Sequence, residues 1–188
     1  MRYFIVENIF FLYNHAMKIK TLIHTALVAE AKPIIGFFAL TCKSRIPFNI
    51  YANDDIVLIV SGIGEKKTKE ALSLAFTLFK PCVAINIGIA GCSNKNIKIG
   101  SLFCATHKNL SIPYASLTSY KNGVNCGENV DSCLVDEEGE AFLDSVPACV
   151  KRYIFKVVSD HLDISIPTKA QVNSLIQKTL PLWSVYAR

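Results

Sequence analysis

Apolar residues along the chain fall in short continuous runs, and the stretches between them are charged and carry helical spacing. This is the pattern of buried, mainly parallel strands alternating with helices that cover both faces of a sheet. Residues 21–29 (Thr-Leu-Ile-His-Thr-Ala-Leu-Val-Ala) predict the first buried strand. A helix is expected to start over Glu30-Ala31-Lys32-Pro33 and to continue from Ile34 to Leu40, because proline is tolerated in a first turn and a glutamate there complements the helix dipole. Phe48 to Ala52 reads as an edge strand, Asp54-Asp55 as a turn, and Ile56 to Val60 as a β-branched strand stopping at Ser61-Gly62-Ile63-Gly64.

Glu65 to Lys80 has apolar positions at Ala71, Leu74, Ala75 and Leu78, which predicts an amphipathic helix with a solvated first turn. Cys82 to Ile87 is a further apolar strand, expected to end at a second glycine-rich turn, Gly88-Ile89-Ala90-Gly91. A strand is expected over Ile99 to Ala105, followed by a loop-rich region from 107 to 130. Ala141 to Cys149 has helical spacing interrupted by Pro147. Tyr153 to Val158 is the last core strand, and Val172 to Leu180 predicts the final helix. These elements predict an α/β fold, a three-layer α/β/α arrangement around a mainly parallel mixed central sheet.

With 188 residues and no repeat or linker, the sequence fits one domain able to bury its own core. Hydrophobic residues make up 51% and charged residues 19%, which excludes a disordered chain. The domain is expected over 17–188, with 1–16 an upstream extension, since Ile9-Phe10-Phe11-Leu12-Tyr13 is too short to span a bilayer and no clean cleavage site follows. The net charge is +5, but the basic residues are scattered without aromatic interleaving, so neither nucleic acid nor a membrane is expected as a partner. The seven cysteines are odd in number and form no Cys-x-x-Cys, which points to reduced thiols and a cytoplasmic location. The histidines at 15, 24, 107 and 161 lack metal-ligand spacing, so no metal site is expected.

Candidate chemistry lies at the ends of the apolar runs, where open α/β sheets hold their ligands. The runs deliver Glu30, the Ser61-Gly62 turn, Gly88-Ile89-Ala90, the cluster Val135-Asp136-Glu137-Glu138-Gly139 and Lys156-Val157-Val158-Ser159-Asp160. Taken singly, each has a simpler reading: Glu30 as a helix cap, Asp160 as an N-cap, the acidic cluster as a solvated face.

In this order the motifs resemble the nucleoside phosphorylase and nucleosidase superfamily, most closely the methylthioadenosine/S-adenosylhomocysteine nucleosidases, over residues 21 to 163. The resemblance implies a nucleoside phosphorylase-like fold, a nucleoside as small-molecule partner, no cofactor, and a homo-oligomer, commonly a dimer. It also implies hydrolysis of the N-glycosidic bond of a purine nucleoside. Glu30 would activate the attacking water, Glu138 would hold the ribose hydroxyls, and Asp160 would protonate the departing base, with Ser159 as its partner. Ser61, Gly62, Gly88, Ile89, Ala90, Glu137 and Lys156 would line the substrate, Lys156 standing where nucleosidases commonly place an arginine.

The sequence departs from that pattern in named places. Ile89 stands where the family offers a hydroxyl, Glu137 replaces a methionine under the ribose, and Asn86 occupies a strand position where a phosphorylase has an arginine. The stretch between Leu102 and Val135 is short. A phosphate-dependent phosphorylase and a non-catalytic nucleoside-binding protein with a drifted pocket therefore stand as alternatives.

Overall fold

Ile56–Val60 and Thr21–Thr25 are buried along their whole length, as β-branched runs covered on both faces must be. The computed structural model describes residues 19–121, 130–163 and 166–187. The extension expected over 1–16 lies outside the described residues, as does Cys126. Strands β1 (Thr21–Thr25), β4 (Ile56–Val60), β5 (Val83–Cys92) and β9 (Lys151–Asp160) form a parallel centre in the order β4-β1-β5-β9. Antiparallel β3 (Asn49–Ala52) and β2 (Thr41–Ser44) extend one edge. On the other side, β6 (Leu102–Cys104) pairs antiparallel with β9, while β8 (Leu134–Asp136) pairs with the last residues of β5 and carries the parallel strand β7 (Leu117–Ser119).

The helices cover both faces. Helices α1 (Val28–Phe37) and α4 (Lys169–Trp183) bury Ala31, Ile34, Ile176 and Trp183 against Ile23, Leu58, Ile85 and Phe155. On the opposite face, α2 (Glu65–Leu78) and α3 (Gly139–Ser145) bury Ala71, Leu72 and Phe142 against Leu22, Val57, Ala84 and Ile154. The alternation along each strand, Leu22 to one side and Ile23 to the other, is the side-chain period of a strand. This is the expected three-layer α/β/α arrangement with a mainly parallel mixed sheet.

Three expectations are corrected. The first strand ends at Thr25, and α1 begins at Val28, so Glu30 lies inside the first helical turn. Gly88-Ile89-Ala90-Gly91 is not a turn: β5 runs through it, paired with β9 as far as Gly91 opposite Asp160. Its glycines admit neighbours, whereas Gly62 and Gly64, with φ of 87° and 98°, do form the turn after β4. Strands β2, β7 and β8 occupy segments where none was expected.

Candidate active site

Placing Glu30 in the first turn of α1 turns its side chain back on the helix start. Oε2 accepts from the backbone N–H of Ala26 at 3.1 Å and of Leu27 at 2.8 Å, while Oε1 accepts from Ile89 N–H on β5 at 3.0 Å. The carboxyl is thus the N-terminal cap of its own helix and also a bridge to the sheet. Its side chain is 2% exposed, and burial pushes its pKa up to about 7; Glu138 adds to the rise, while the Leu27 and Ile89 N–H groups and Lys156 oppose it. A carboxyl titrating near neutrality can accept a proton and give it back.

Across the sheet, Lys156 is buried and its Nζ lies 2.6 Å from Asp136 Oδ2. Register places Gly88 beside Lys156 on neighbouring strands, so both residues address the α2/α3 face. Burial works against the ammonium, but Asp136, Glu138 and Glu30 outweigh it and hold the Lys156 pKa above the usual range. Asp136 also accepts from the Ser119 hydroxyl and from Gly139 N–H. Glu138 accepts from Gly64 N–H at 2.9 Å, which ties the turn after β4 to the start of α3. Burial raises the Glu138 pKa, opposed by Lys156 and the Gly64 N–H. Glu137, half-buried, is raised by burial and by Asp136. The acidic cluster is therefore not one solvated face: Asp136 and Glu138 are buried and Glu140 is exposed.

Asp160 closes β9. Its Oδ1 accepts from Leu162 N–H at 2.9 Å, and its Oδ2 lies 2.6 Å from Ser159 Oγ, which also lies 3.2 Å from the Ala90 carbonyl. That hydroxyl can serve either protonation state. It donates to an ionised Asp160, or accepts from a protonated one while donating to Ala90. Ile89, whose N–H holds Glu30, and Gly91, paired with Asp160, are two residues apart on β5. The end of β5 thus borders both residues, Glu30 on α1 and Asp160 on β9.

The sequence placed His24 in a buried strand and without metal-ligand spacing, yet it is the centre of a polar network beneath the site. Register and alternation put His24, Asn86, Gly88 and Lys156 on one face. Asn86 Nδ2 donates to His24 Nδ1 at 2.8 Å, which leaves Nε2–H to donate to Ser61 Oγ at 2.9 Å, and Ser61 donates to the Gly62 carbonyl at 2.6 Å. Burial, followed by the charge of Lys156, pushes the His24 pKa down to about 3, with Asp136 opposing, so the ring is neutral at ordinary pH. The available signal was a titratable residue in a run otherwise fit for a core strand.

Ser61 and Gly62 therefore stand beside Glu138's anchor, Gly64, while the Ile89 N–H donates to Glu30 and the Ala90 carbonyl accepts from the Ser159 hydroxyl. Two openings flank this centre. A groove of about 700 Å³ runs between the N-termini of α1 and α4, lined by Leu27, Val28, Lys32, Pro167 and Asn173. A smaller one of about 310 Å³ lies against Ser159, Ile99, Gln171 and Lys178. Among the described residues, no group of three or more histidine, cysteine, aspartate or glutamate side chains could hold a metal ion, and no helix is long and apolar enough to cross a membrane.

This arrangement of sheet and helices is the fold found in solved nucleosidase structures. The chain superposes on the 5′-methylthioadenosine/S-adenosylhomocysteine nucleosidase of Campylobacter jejuni with a TM-score of 0.74 and 16% identity, over 90% of this chain and 98% of that one. The futalosine hydrolase of Helicobacter pylori gives 0.72 and 17%, over 89% and 97% of the two chains. An aspartate-to-asparagine variant of a Chlamydia trachomatis nucleosidase bound to MTA gives 0.70 and 21%, over 89% and 99%. No protein-family model and no curated protein matches the sequence. The likeness therefore identifies the fold, that of methylthioadenosine/S-adenosylhomocysteine nucleosidases and futalosine hydrolase.

Proposed function

We propose that this protein is a nucleosidase that hydrolyses the N-glycosidic bond of a purine nucleoside of the methylthioadenosine/S-adenosylhomocysteine type, without a cofactor. The observation that carries the reading is the Glu30 carboxyl: buried, fixed by three backbone N–H groups and titrating at about 7. Breaking the bond builds positive charge on the ribose and negative charge on the base. Glu30 takes a proton from the attacking water, Asp160 delivers one to the departing purine, and Glu138 orients the ribose hydroxyls. Lys156, through Asp136, keeps this anionic site folded. Ser61, Gly62, Gly88, Ile89, Ala90 and Glu137 line the sugar, and Ser159 partners the acid.

Hydrolysis is favoured over phosphorolysis by charge. Lys156 is the one buried lysine or arginine among the described residues, and Asp136 occupies it. Asn86, at the position of a phosphorylase arginine, gives its amide to His24. An orthophosphate dianion would meet Glu30 and Glu138 instead. Ile89 and Glu137 support the second reading, a nucleoside-binding protein without turnover, because they remove a hydroxyl and an apolar support from the sugar site. We further propose a cytoplasmic homodimer, with exposed Val28 and Ile63 beside the site as surface to be covered. A screen of purine nucleosides with and without phosphate, read by free base, separates the readings. Phosphate-independent release supports hydrolysis, phosphate-dependent release means a phosphorylase, and tight binding without release means a binding protein.

A further inference from the structure

Away from the carboxylates, two thiols meet where β8 joins β5. Cys92 Sγ and Cys133 Sγ are 3.9 Å apart, on segments joined by the β-ladder pair Cys92 and Leu134 and by the Ser93 N–H to Cys133 carbonyl bond at 3.0 Å. A disulfide needs sulfurs about 2.0 Å apart, so rotation of side chains on strands already held together can close the gap. Cys92 is buried and Cys133 half-buried, so Cys133 is the more accessible residue of the pair.

We propose that Cys92 and Cys133 form a reversible intramolecular disulfide by exchange with a low-molecular-weight disulfide. The Cys133 thiolate attacks one sulfur of RS–SR, forming a Cys133–S–SR bond and expelling RS⁻, which takes up the proton Cys133 released. The Cys92 thiolate then attacks Cys133 Sγ and expels the second RS⁻, protonated in turn by the proton from Cys92. The two cysteines lose two electrons and two protons, and RS–SR becomes two RSH. The bond closes a loop of about 40 residues and staples to β5 the strand that delivers Asp136 and Glu138. Burial and the neighbouring Cys92 raise the Cys133 pKa to about 11, so the exchange is slow at neutral pH and accelerates as the thiolate forms.

The test is incubation of the full chain with oxidised glutathione, acid quenching and peptide mapping without reduction. The expected product is a Cys92–Cys133 linked peptide, two hydrogens lighter than its parts and reversed by dithiothreitol. Its rate of formation should rise about tenfold per pH unit from 7 to 9. Cys92→Ser should stop the reaction at the glutathione adduct on Cys133, and the linked wild type should melt several degrees higher than the reduced protein. Linkage of Cys133 to Cys126 or any other cysteine would overturn the proposal. So would wild-type protein that accumulates only glutathione adducts, or in which Cys133 stays unmodified at pH 9.

Discussion

A Cβ built on Gly88 would lie 2.8 Å from Oε1 of Glu30, closer than such atoms approach, so the absence of a side chain on β5 is what gives the carboxylate its seat. The oxygen cannot swing aside freely, because three backbone N–H groups hold the carboxylate. Gly88→Ala should therefore destabilise the fold by about 1 to 3 kcal/mol through overpacking and should displace Glu30. Gly36→Ala is the control, since nothing lies within 4 Å of its Cβ position; in the last turn of α1 it should be neutral or stabilise by less than about 1 kcal/mol. Urea melts of the two variants check this, and equal stability changes would remove the seat from the explanation.

Glu30 should leave a signature in the pH dependence of stability. Its folded pKa of about 7 exceeds the ordinary 4.5, so it favours the folded state fully below pH 4.5 and loses that contribution as pH rises through 7. The loss amounts to about 3 kcal/mol over the window, at about 1.4 kcal/mol per pH unit. The stability of Glu30→Gln minus that of the wild type should therefore climb by that amount between pH 4.5 and 7. A flat difference would mean that Glu30 titrates normally.

His24 acts with the opposite sign. Its pKa falls from 6.5 to about 3 on folding, so its cost is absent above pH 6.5 and grows as pH falls toward 3, reaching about 3 kcal/mol at pH 4. His24→Phe removes that cost but leaves the amide of Asn86, whose Oδ1 already lacks a protein partner, without its bond to the ring. The variant should be less stable than wild type at pH 7 by about 1 to 3 kcal/mol, and the difference should shrink or reverse at pH 4. Parallel denaturation curves at both pH values would contradict a neutral buried ring.

Lys156→Met should cost about 3 to 5 kcal/mol, because it leaves Asp136 buried without its partner at 2.6 Å. It should also raise the Glu30 pKa, since Lys156 now lowers it. Chemical denaturation together with the pH profile of Glu30 reads both effects. A change under 1 kcal/mol would show that the pair is replaceable.

The pattern of residue types made much of this legible in advance. Ile56–Val60 and the apolar start of β5 announced themselves because both faces of each strand are buried, and the glycines at 62 and 64 marked a true turn by the conformation they adopt. Glycine misled at 88 and 91, where it makes room for Glu30 and for Asp160 and Leu162 rather than turning the chain. Thr41–Ser44 is partly exposed and polar, and Leu117–Ser119 is three residues long, so neither carries a period that sequence could reveal. Within the candidate site, the carboxylates were visible as residue types at strand ends. Their partners were not: Asp136 hid in an acidic run, and His24 hid in an apolar one.

The most direct test compares adenine release from methylthioadenosine, without phosphate, by the wild-type full chain, Glu30→Gln and Asp160→Asn. The wild type should release base. Each variant should lose about 100 to 10,000-fold in kcat, and Asp160→Asn should retain most of its binding because an amide can still hydrogen-bond the purine. A wild type that binds the nucleoside but releases no adenine, or an Asp160→Asn variant near the wild-type rate, would contradict a nucleosidase working through these two carboxylates.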